Sequence, residues 1–308
     1  MKTLLLTWPG NEALGSSLKA ALGAEPVEFS TRRFPDGETY LRIGSDVAGR
    51  AAIVLCALRD PDPLLLPLVF AADALRELGA LSVGLLAPYL AYMRQDRRFQ
   101  AGEALTSASF ARLVSSRFDW LVTVDPHLHR RKSLAEIYRI PAEVAHAAPL
   151  LADWIRVNVP RPFLVGPDAE SEQWVGAIAQ AVPCPHVVLE KNRRGDRDVS
   201  VSAVPAGEMR AGRTAVLIDD IVSSGRTMIE TVRQWTREGL PGPVCLAVHG
   251  VFAAQAYEAL QAAGAARIVT TNSIAHASNE IDLGGLLAEP VRRAMQRSED
   301  ARPADTGE

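Results

Sequence analysis

The residues with the most legible chemistry in this 308-residue chain lie between Val216 and Thr227. Ala215 and the apolar Val216–Ile218 lead into Asp219-Asp220 and Ile221-Val222, then Ser223-Ser224-Gly225-Arg226-Thr227 opens a helix-length segment. A strand that ends on acidic residues and turns through serine and glycine into a helix gathers backbone N–H groups and hydroxyls around an anion, at the positive end of the helix dipole. Two adjacent carboxylates do not bind phosphate directly, but they accept hydrogen bonds from the two hydroxyls of a ribose and help hold a magnesium-bearing ligand. Together the parts fit a ribose 5-phosphate, with Asp219, Asp220, Ser223, Ser224, Gly225, Arg226 and Thr227 as the candidate binding set. A capping box of Thr227 with Glu230 accounts for those two residues alone. It leaves unexplained the two carboxylates closing an apolar strand and the turn of small residues after them.

Such a loop needs a sheet to carry it. Short β-type runs alternate with amphipathic helix-length segments along the whole chain, the pattern of parallel sheets covered by helices, so the fold class is α/β. Strands are predicted at 3–6, 52–57, 82–87, 120–124, 163–165, 186–189, 214–218, 244–248 and 267–271. Helices are predicted at 11–22, 64–78, 107–117, 149–158, 171–181, 227–238, 253–263 and 286–295. The length suits two domains of roughly 150 residues, each able to bury its own core. The Pro-bracketed turn Val159–Pro162 follows a helix and suggests a domain change between residues 145 and 160. The expected organisation is a domain over 1–146, a second over 147–296, and a disordered tail over 297–308, where apolar periodicity stops.

Composition narrows the function classes. A net charge of −3 gives no broad attraction for nucleic acid or anionic membranes, so any anion must be bound locally. The first ten residues contain too short an apolar run for a signal peptide, and no run reaches the ~18 residues of a membrane span. Cys56, Cys184 and Cys245 are odd in number and far apart, which suits reduced thiols and a cytoplasmic protein.

The 216–227 loop resembles the phosphoribosyl-pyrophosphate loop shared by phosphoribosyltransferases and ribose-phosphate pyrophosphokinases. Further segments resemble the pyrophosphokinase family across roughly residues 3 to 295, whereas simple transferases have one such domain. Arg33-Phe34-Pro35-Asp36-Gly37-Glu38 is similar to the segment that contacts the adenine of ATP, in that family at a neighbouring subunit's site. Tyr92-Met93-Arg94-Gln95-Asp96-Arg97 is similar to a segment whose arginine and glutamine meet the nucleotide; arginine pairs bidentately with phosphate oxygens, and glutamine reads an adenine edge. Asp125-Pro126-His127-Leu128-His129-Arg130 is similar to an Asp-x-His whose histidine approaches the ATP phosphates and magnesium; either His127 or His129 fits, and His127 is preferred. Pro167-Asp168 corresponds to the pair that supports the metal and the ribose phosphate. Lys191-Asn192-Arg193 is similar to the Lys-x-Arg of the family's flexible catalytic loop.

The resemblance implies two tandem phosphoribosyltransferase-like domains, each a mostly parallel sheet flanked by helices. It implies an enzyme that moves the diphosphoryl group of MgATP onto the 1-hydroxyl of ribose 5-phosphate. The catalytic residues would be Lys191 and Arg193, and the ATP-binding residues Phe34, Asp36, Glu38, Arg94, Gln95, Asp96 and His127. His127 and Asp168 would serve Mg2+, and a hairpin reaching a neighbouring site implies a homo-oligomer, a dimer or larger. Two departures stand out. Ser223-Ser224 replaces the Asp-Thr of many members, which removes one carboxylate. The run after Arg97 is Arg98-Phe99-Gln100-Ala101-Gly102-Glu103, less arginine-rich than in phosphate-activated, ADP-inhibited members, so activity without inorganic phosphate is expected. The alternatives are a phosphoribosyltransferase that consumes phosphoribosyl pyrophosphate, and a catalytically silent partner of a true synthetase.

Overall fold

A computed structural model describes residues 3–98, 100–128, 130–167, 171–189, 191–194, 198–201, 207, 209 and 211–301, with Gln173 and the segments 191–194 and 198–201 described by their backbone. The chain forms two compact units, one of Met1–Ala145, Ser273–Ala275 and Asp282–Glu308, the other of His146–Asn272 and His276–Ile281.

The first unit contains β1 (Leu4–Thr7), α1 (Glu12–Leu22), β2 (Glu25–Pro26), β3 (Phe29–Arg33), β4 (Thr39–Ile43), β5 (Ala51–Leu55), α2 (Asp62–Glu77), β6 (Ser82–Ala87), α3 (Thr106–Arg117), β7 (Trp120–Val124) and β8 (Ala142–Ala145). Its main sheet is parallel throughout, in the order β2-β1-β5-β6-β7-β8. The antiparallel pair β3-β4 stands apart from it.

The second unit contains α4 (Ala148–Asn158), β9 (Pro162–Gly166), α5 (Glu172–Ala181), β10 (His186–Val188), β11 (Lys191–Arg194), β12 (Asp198–Val201), β13 (Thr214–Val222), α6 (Arg226–Arg237), β14 (Val244–Gly250), α7 (Ala256–Ala262), β15 (Arg267–Thr271) and β16 (Asn279–Ile281). Its parallel sheet runs β10-β9-β13-β14-β15-β16, with β11-β12 as a separate antiparallel ribbon. The two sheets have the same order relative to chain sequence, a repeat that residue identities do not display. Strands covered on both faces read as continuous apolar runs, and every residue of β6 and of β14 is buried.

The organisation departs from the sequence expectation at the carboxyl end. Helix α8 (Gly284–Asp300) packs on α1, β7 and β8 in the first unit, so the second unit does not run on to residue 296. The buried face of α8 includes Leu287, Val291 and Ala294. Gly284 approaches Ser17 so closely that a Cβ would overlap its hydroxyl. Arg293 Nε lies 3.3 Å and Arg297 Nη1 2.6 Å from the largely buried carboxylate of Glu143, and Arg292 donates to the Ala21 carbonyl at 2.8 Å. Amphipathic periodicity says that a helix has a face to bury, not which sheet it will cover. The expected tail is also shortened, because Arg297–Asp300 continue α8; residues 302–308 lie outside the described ones.

Gly84 on β6 sits opposite Trp120 on β7, and a Cβ at Gly84 would fall inside the fully buried indole. Gly84→Ala should therefore destabilise by about 3 kcal/mol, the upper end of the overpacking range, read as a lowered urea midpoint with the slope unchanged; a variant as stable as the parent would refute this packing. The cysteines give a second check. Burial pushes the Cys56 thiol up to about 12 and raises Cys245 as well, while Cys184 is half-exposed, its thiol raised by partial burial against an opposing pull from Arg213. Titration of the native protein with a thiol reagent at pH 8 should modify Cys184 alone, and denaturation should release the other two.

Candidate active site

The carboxyl ends of β9 and β13 are neighbours in the second sheet, and it is between them that the strand order reverses, β10 lying on one side and β14 on the other. Parallel sheets leave a ligand crevice at such a point, since successive crossovers depart to opposite faces. The loop singled out from sequence leaves β13 here. Strand β13 extends four residues past the expected end at Ile218, because Ile221 and Val222 pair with His249 and Gly250 of β14. Asp219 and Asp220 thus belong to the last turn of the ladder, half-buried, and the Asp220 N–H donates to Asp219 Oδ1 at 3.0 Å.

Beyond Val222 the chain turns through Ser223-Ser224 and reaches Gly225 at φ 64°, a left-handed conformation that costs other residues roughly 1 kcal/mol or more. The turn is pinned to the loop after β14: Phe252 N–H donates to the Val222 carbonyl at 2.9 Å, and Ala253 N–H to that of Ser223 at 3.0 Å. Gly225 is the N-cap of α6 and supplies no side-chain cap. The capping box is not formed, because Thr227 lies inside the first turn, its carbonyl accepting from Thr231 Oγ1 at 2.9 Å, and Glu230 faces Arg237 at 3.3 Å and Arg233 at 3.9 Å. The start of α6 directs the positive end of its dipole at the turn of small residues. The helix itself is fixed by buried Met228, Ile229, Val232 and Trp235.

Pro167 follows β9 on the other side of this crevice, while Asp168 lies outside the described residues. Lys191 and Arg193 occupy alternate positions of β11, opposite Val201 and Val199 of β12.

In the first unit the sequence candidates fall into two groups. Phe34, Asp36 and Glu38 form the exposed connection of the β3-β4 hairpin, closed by Phe34 N–H to the Glu38 carbonyl at 2.7 Å. Gly37 at φ 92° makes the turn possible, and Asp36 Oδ1 accepts from Glu38 N–H at 3.1 Å. The Arg32 guanidinium lies 4.5 Å from the Phe34 ring and 4.6 Å from that of Tyr40, which holds the exposed Phe34 in place.

Arg94, Gln95 and Asp96 follow β6, and His127 follows β7, so both segments leave adjacent parallel strands at their carboxyl ends. Arg94 is exposed and His127 half-buried; His129 lies outside the described residues. Gln95 Oε1 accepts from Thr106 Oγ1 at 2.9 Å. The Asp96 carboxylate is almost wholly buried and paired with Arg130 at 2.9 Å, so it faces protein and not an open surface. Two residues of these segments to which the sequence assigned no role of their own are held in left-handed backbone: Tyr92 at φ 64°, just before Arg94, and buried Asp125 at φ 34°, just before Pro126. Tyr92 OH donates to the Asp62 carboxylate, which, with partial burial, pushes the phenol up to about 12. The sequence signal for both was their place at strand ends, where non-glycine residues in strained conformations concentrate around binding sites.

Two tandem parallel α/β units, one with a phosphate-type loop at its switch point, define a protein of the phosphoribosyltransferase-like fold class. Residues 133–280 match the family model of the phosphoribosyl transferase domain, and residues 3–117 match that of the N-terminal domain of ribose phosphate pyrophosphokinase. The ribose-phosphate pyrophosphokinase of Methanosarcina mazei is 31% identical over 286 residues, covering 92% of this chain and 93% of that protein. That of Methanopyrus kandleri is 31% identical over 280 residues, 90% of this chain and 94% of the relative. The crystal structure of phosphoribosylpyrophosphate synthetase from Mycobacterium smegmatis shares the fold, with a TM-score of 0.81 at 22% identity, covering 96% of this chain and 99% of that one. The chain belongs to the ribose-phosphate pyrophosphokinase family, transferases of nucleotide biosynthesis.

The left-handed residue at the head of α6 yields a direct test. Gly225→Ala should cost about 1 kcal/mol of stability, and Gly225→Asn less, since asparagine tolerates this conformation. Equal costs in chemical denaturation would show that the backbone at 225 is not what limits substitution.

Proposed function

We propose that this enzyme transfers the β,γ-diphosphoryl group of MgATP to the 1-hydroxyl of ribose 5-phosphate, giving 5-phosphoribosyl 1-pyrophosphate and AMP. The observation that carries the reading is the 219–227 loop at the β9/β13 switch point, with two carboxylates on the strand end and an uncapped helix start behind a turn of small residues. In this reading Asp219 and Asp220 accept hydrogen bonds from the ribose hydroxyls. The amides and hydroxyls of Ser223 to Thr227 hold the 5-phosphate, with the Arg226 guanidinium available to it. Arg94, Gln95 and His127 receive the nucleotide. Phe34, Asp36 and Glu38, exposed on their hairpin, contact the adenine of a neighbouring copy, which makes the working form a homo-oligomer of at least two chains.

The 1-hydroxyl oxygen attacks the β-phosphorus and loses its proton, while the bond from that phosphorus to the α,β-bridging oxygen breaks and AMP leaves with the electron pair. Lys191 and Arg193 supply positive charge where negative charge builds on the transferred oxygens, and the rest of the rate comes from positioning. Magnesium would reach the site on the ATP phosphates and neutralise part of their charge. The half-buried Asp219-Asp220 pair and His127, with Asp168, are donors suited to such an ion. No described helix is long and apolar enough to cross a membrane; the three free thiols, two of them buried, suit a reducing, cytoplasmic setting.

Purified protein mixed with MgATP and ribose 5-phosphate, without inorganic phosphate, should form AMP and phosphoribosyl pyrophosphate in equal amounts. Lys191→Ala should lower kcat by about a hundredfold or more while leaving the thermal midpoint unchanged, since the loss is of transition-state charge stabilisation. Unchanged turnover would remove Lys191 from the catalytic role. No product even after phosphate is added would favour a transferase or a silent partner.

A further inference from the structure

The ion pair behind the nucleotide segment, between the buried Asp96 and the partly exposed Arg130, has no part in the chemistry above. Asp96 follows directly on Arg94 and Gln95, yet its side chain is 1% exposed. Arg130 Nη1 meets Asp96 Oδ1 at 2.9 Å, and the next residue, Arg131, donates through Nη2 to the Asp96 carbonyl at 3.4 Å. Arg131 is itself largely buried, at 14% side-chain exposure, and its other end faces Glu136 at 3.8 Å. Both arginines lie on the loop that carries His127. Two successive residues of one loop therefore grip the side chain and the backbone of one residue on the other. The remaining Asp96 oxygen, Oδ2, is buried with no hydrogen-bond partner among the described residues. A carboxylate so enclosed depends on Arg130 for compensation of its charge, because a buried charge without its partner is strongly unfavourable.

Gln95 is held independently from the other side, through Thr106 Oγ1, and Ser107 N–H donates to the Gln95 carbonyl at 3.4 Å. Tyr92 anchors the start of the strip on Asp62. The contacts of Asp96 with Arg130 and Arg131 tie it to the loop after β7. We propose that Arg130 is a positioning residue for nucleotide binding. By clamping Asp96 it fixes the Arg94–Gln95 strip relative to the His127 loop, so that the two nucleotide-receiving segments form one preorganised wall. This assigns Asp96 a strut's role in place of direct contact with ATP, and it rests on the reading of these segments as the nucleotide site. Preorganisation lowers the ordering cost of binding, so the clamp should act on nucleotide affinity and leave the sugar-phosphate site of the other unit alone.

The test compares the full-length parent with Arg130→Met, Arg130→Lys, Asp96→Asn and the double variant Asp96→Asn/Arg130→Met, using steady-state kinetics and ATP-Mg2+ binding by calorimetry. Arg130→Met should raise KM and Kd for MgATP by roughly tenfold or more, with KM for ribose 5-phosphate changed less than about twofold. Arg130→Lys should recover part of the loss. The double variant, which removes both charges together, should bind nucleotide better than Arg130→Met alone, the non-additivity expected of a coupled pair. A purely structural role would lower the thermal midpoint and the active fraction without separating the two KM values. Parent-like nucleotide affinity in Arg130→Met, or equal changes in both KM values, would overturn the proposal. A parent protein that neither binds MgATP nor turns it over would overturn the functional reading itself, a result distinct from the other two.

Discussion

The reversal of strand order between β9 and β13 is the constraint on which the candidate site depends. A parallel sheet must send each crossover over one face or the other, and where the direction changes, the ends of two neighbouring strands are left without a crossover above them. The acidic strand end, the left-handed Gly225 and the start of α6 are useful only because they sit at that opening. The same opening explains why β13 stays paired through Asp219 and Asp220: the ladder to β14 holds the two carboxylates in a fixed register instead of leaving them on a free loop. Hydrogen bonds from Phe252 and Ala253 to the turn carry that rigidity past the end of the sheet.

The first unit has the same strand order but uses it differently. Its own reversal lies between β1 and β5, and there the buried Asn11 side chain spans the two strand ends, donating to the carbonyls of Trp8 and Pro9 and accepting from Ala57 N–H at 2.9 Å. The opening that serves the second unit is thus closed by an amide in the first. The nucleotide candidates instead leave β6 and β7, one and two strands further along, and are joined by the Asp96–Arg130 pair. One sheet topology, used twice, carries a phosphate-type turn in one unit and two loops joined by an ion pair in the other. The divergence is carried by side chains at the strand ends and not by the order of the strands.

The positions of most sheet strands were legible in sequence because buried parallel strands are continuous apolar runs; 82–87, 120–124 and 267–271 coincide with β6, β7 and β15. Strands β3, β4, β11 and β12 were not, since an antiparallel pair such as Phe29–Arg33 with Thr39–Ile43 mixes polar and apolar residues without a continuous apolar run. Strand β13 was shortened at Ile218 because a carboxylate looks like the end of a strand when its pairing partner is unknown. The loop from Asp219 to Thr227 was legible because its chemistry is local, with carboxylates, small residues and helix start within nine positions of one another.

What the sequence by itself determined is therefore whatever depends on neighbours in the chain: the apolar runs, the phosphate-type turn, and the order of strand and helix that implies parallel sheets. Tertiary structure alone decided what depends on distant partners. Helix α8 could have covered either sheet, and the close approach of Gly284 to Ser17 together with the pairing of Arg293 and Arg297 with Glu143 fixes it on the first unit. The sequence offers Asp96 as a nucleotide ligand, and only the fold pairs its buried carboxylate with Arg130, 34 residues away. Periodicity and motif spacing record which groups need a partner; only the folded chain supplies the partner, because charge compensation and close packing are set by distance in space.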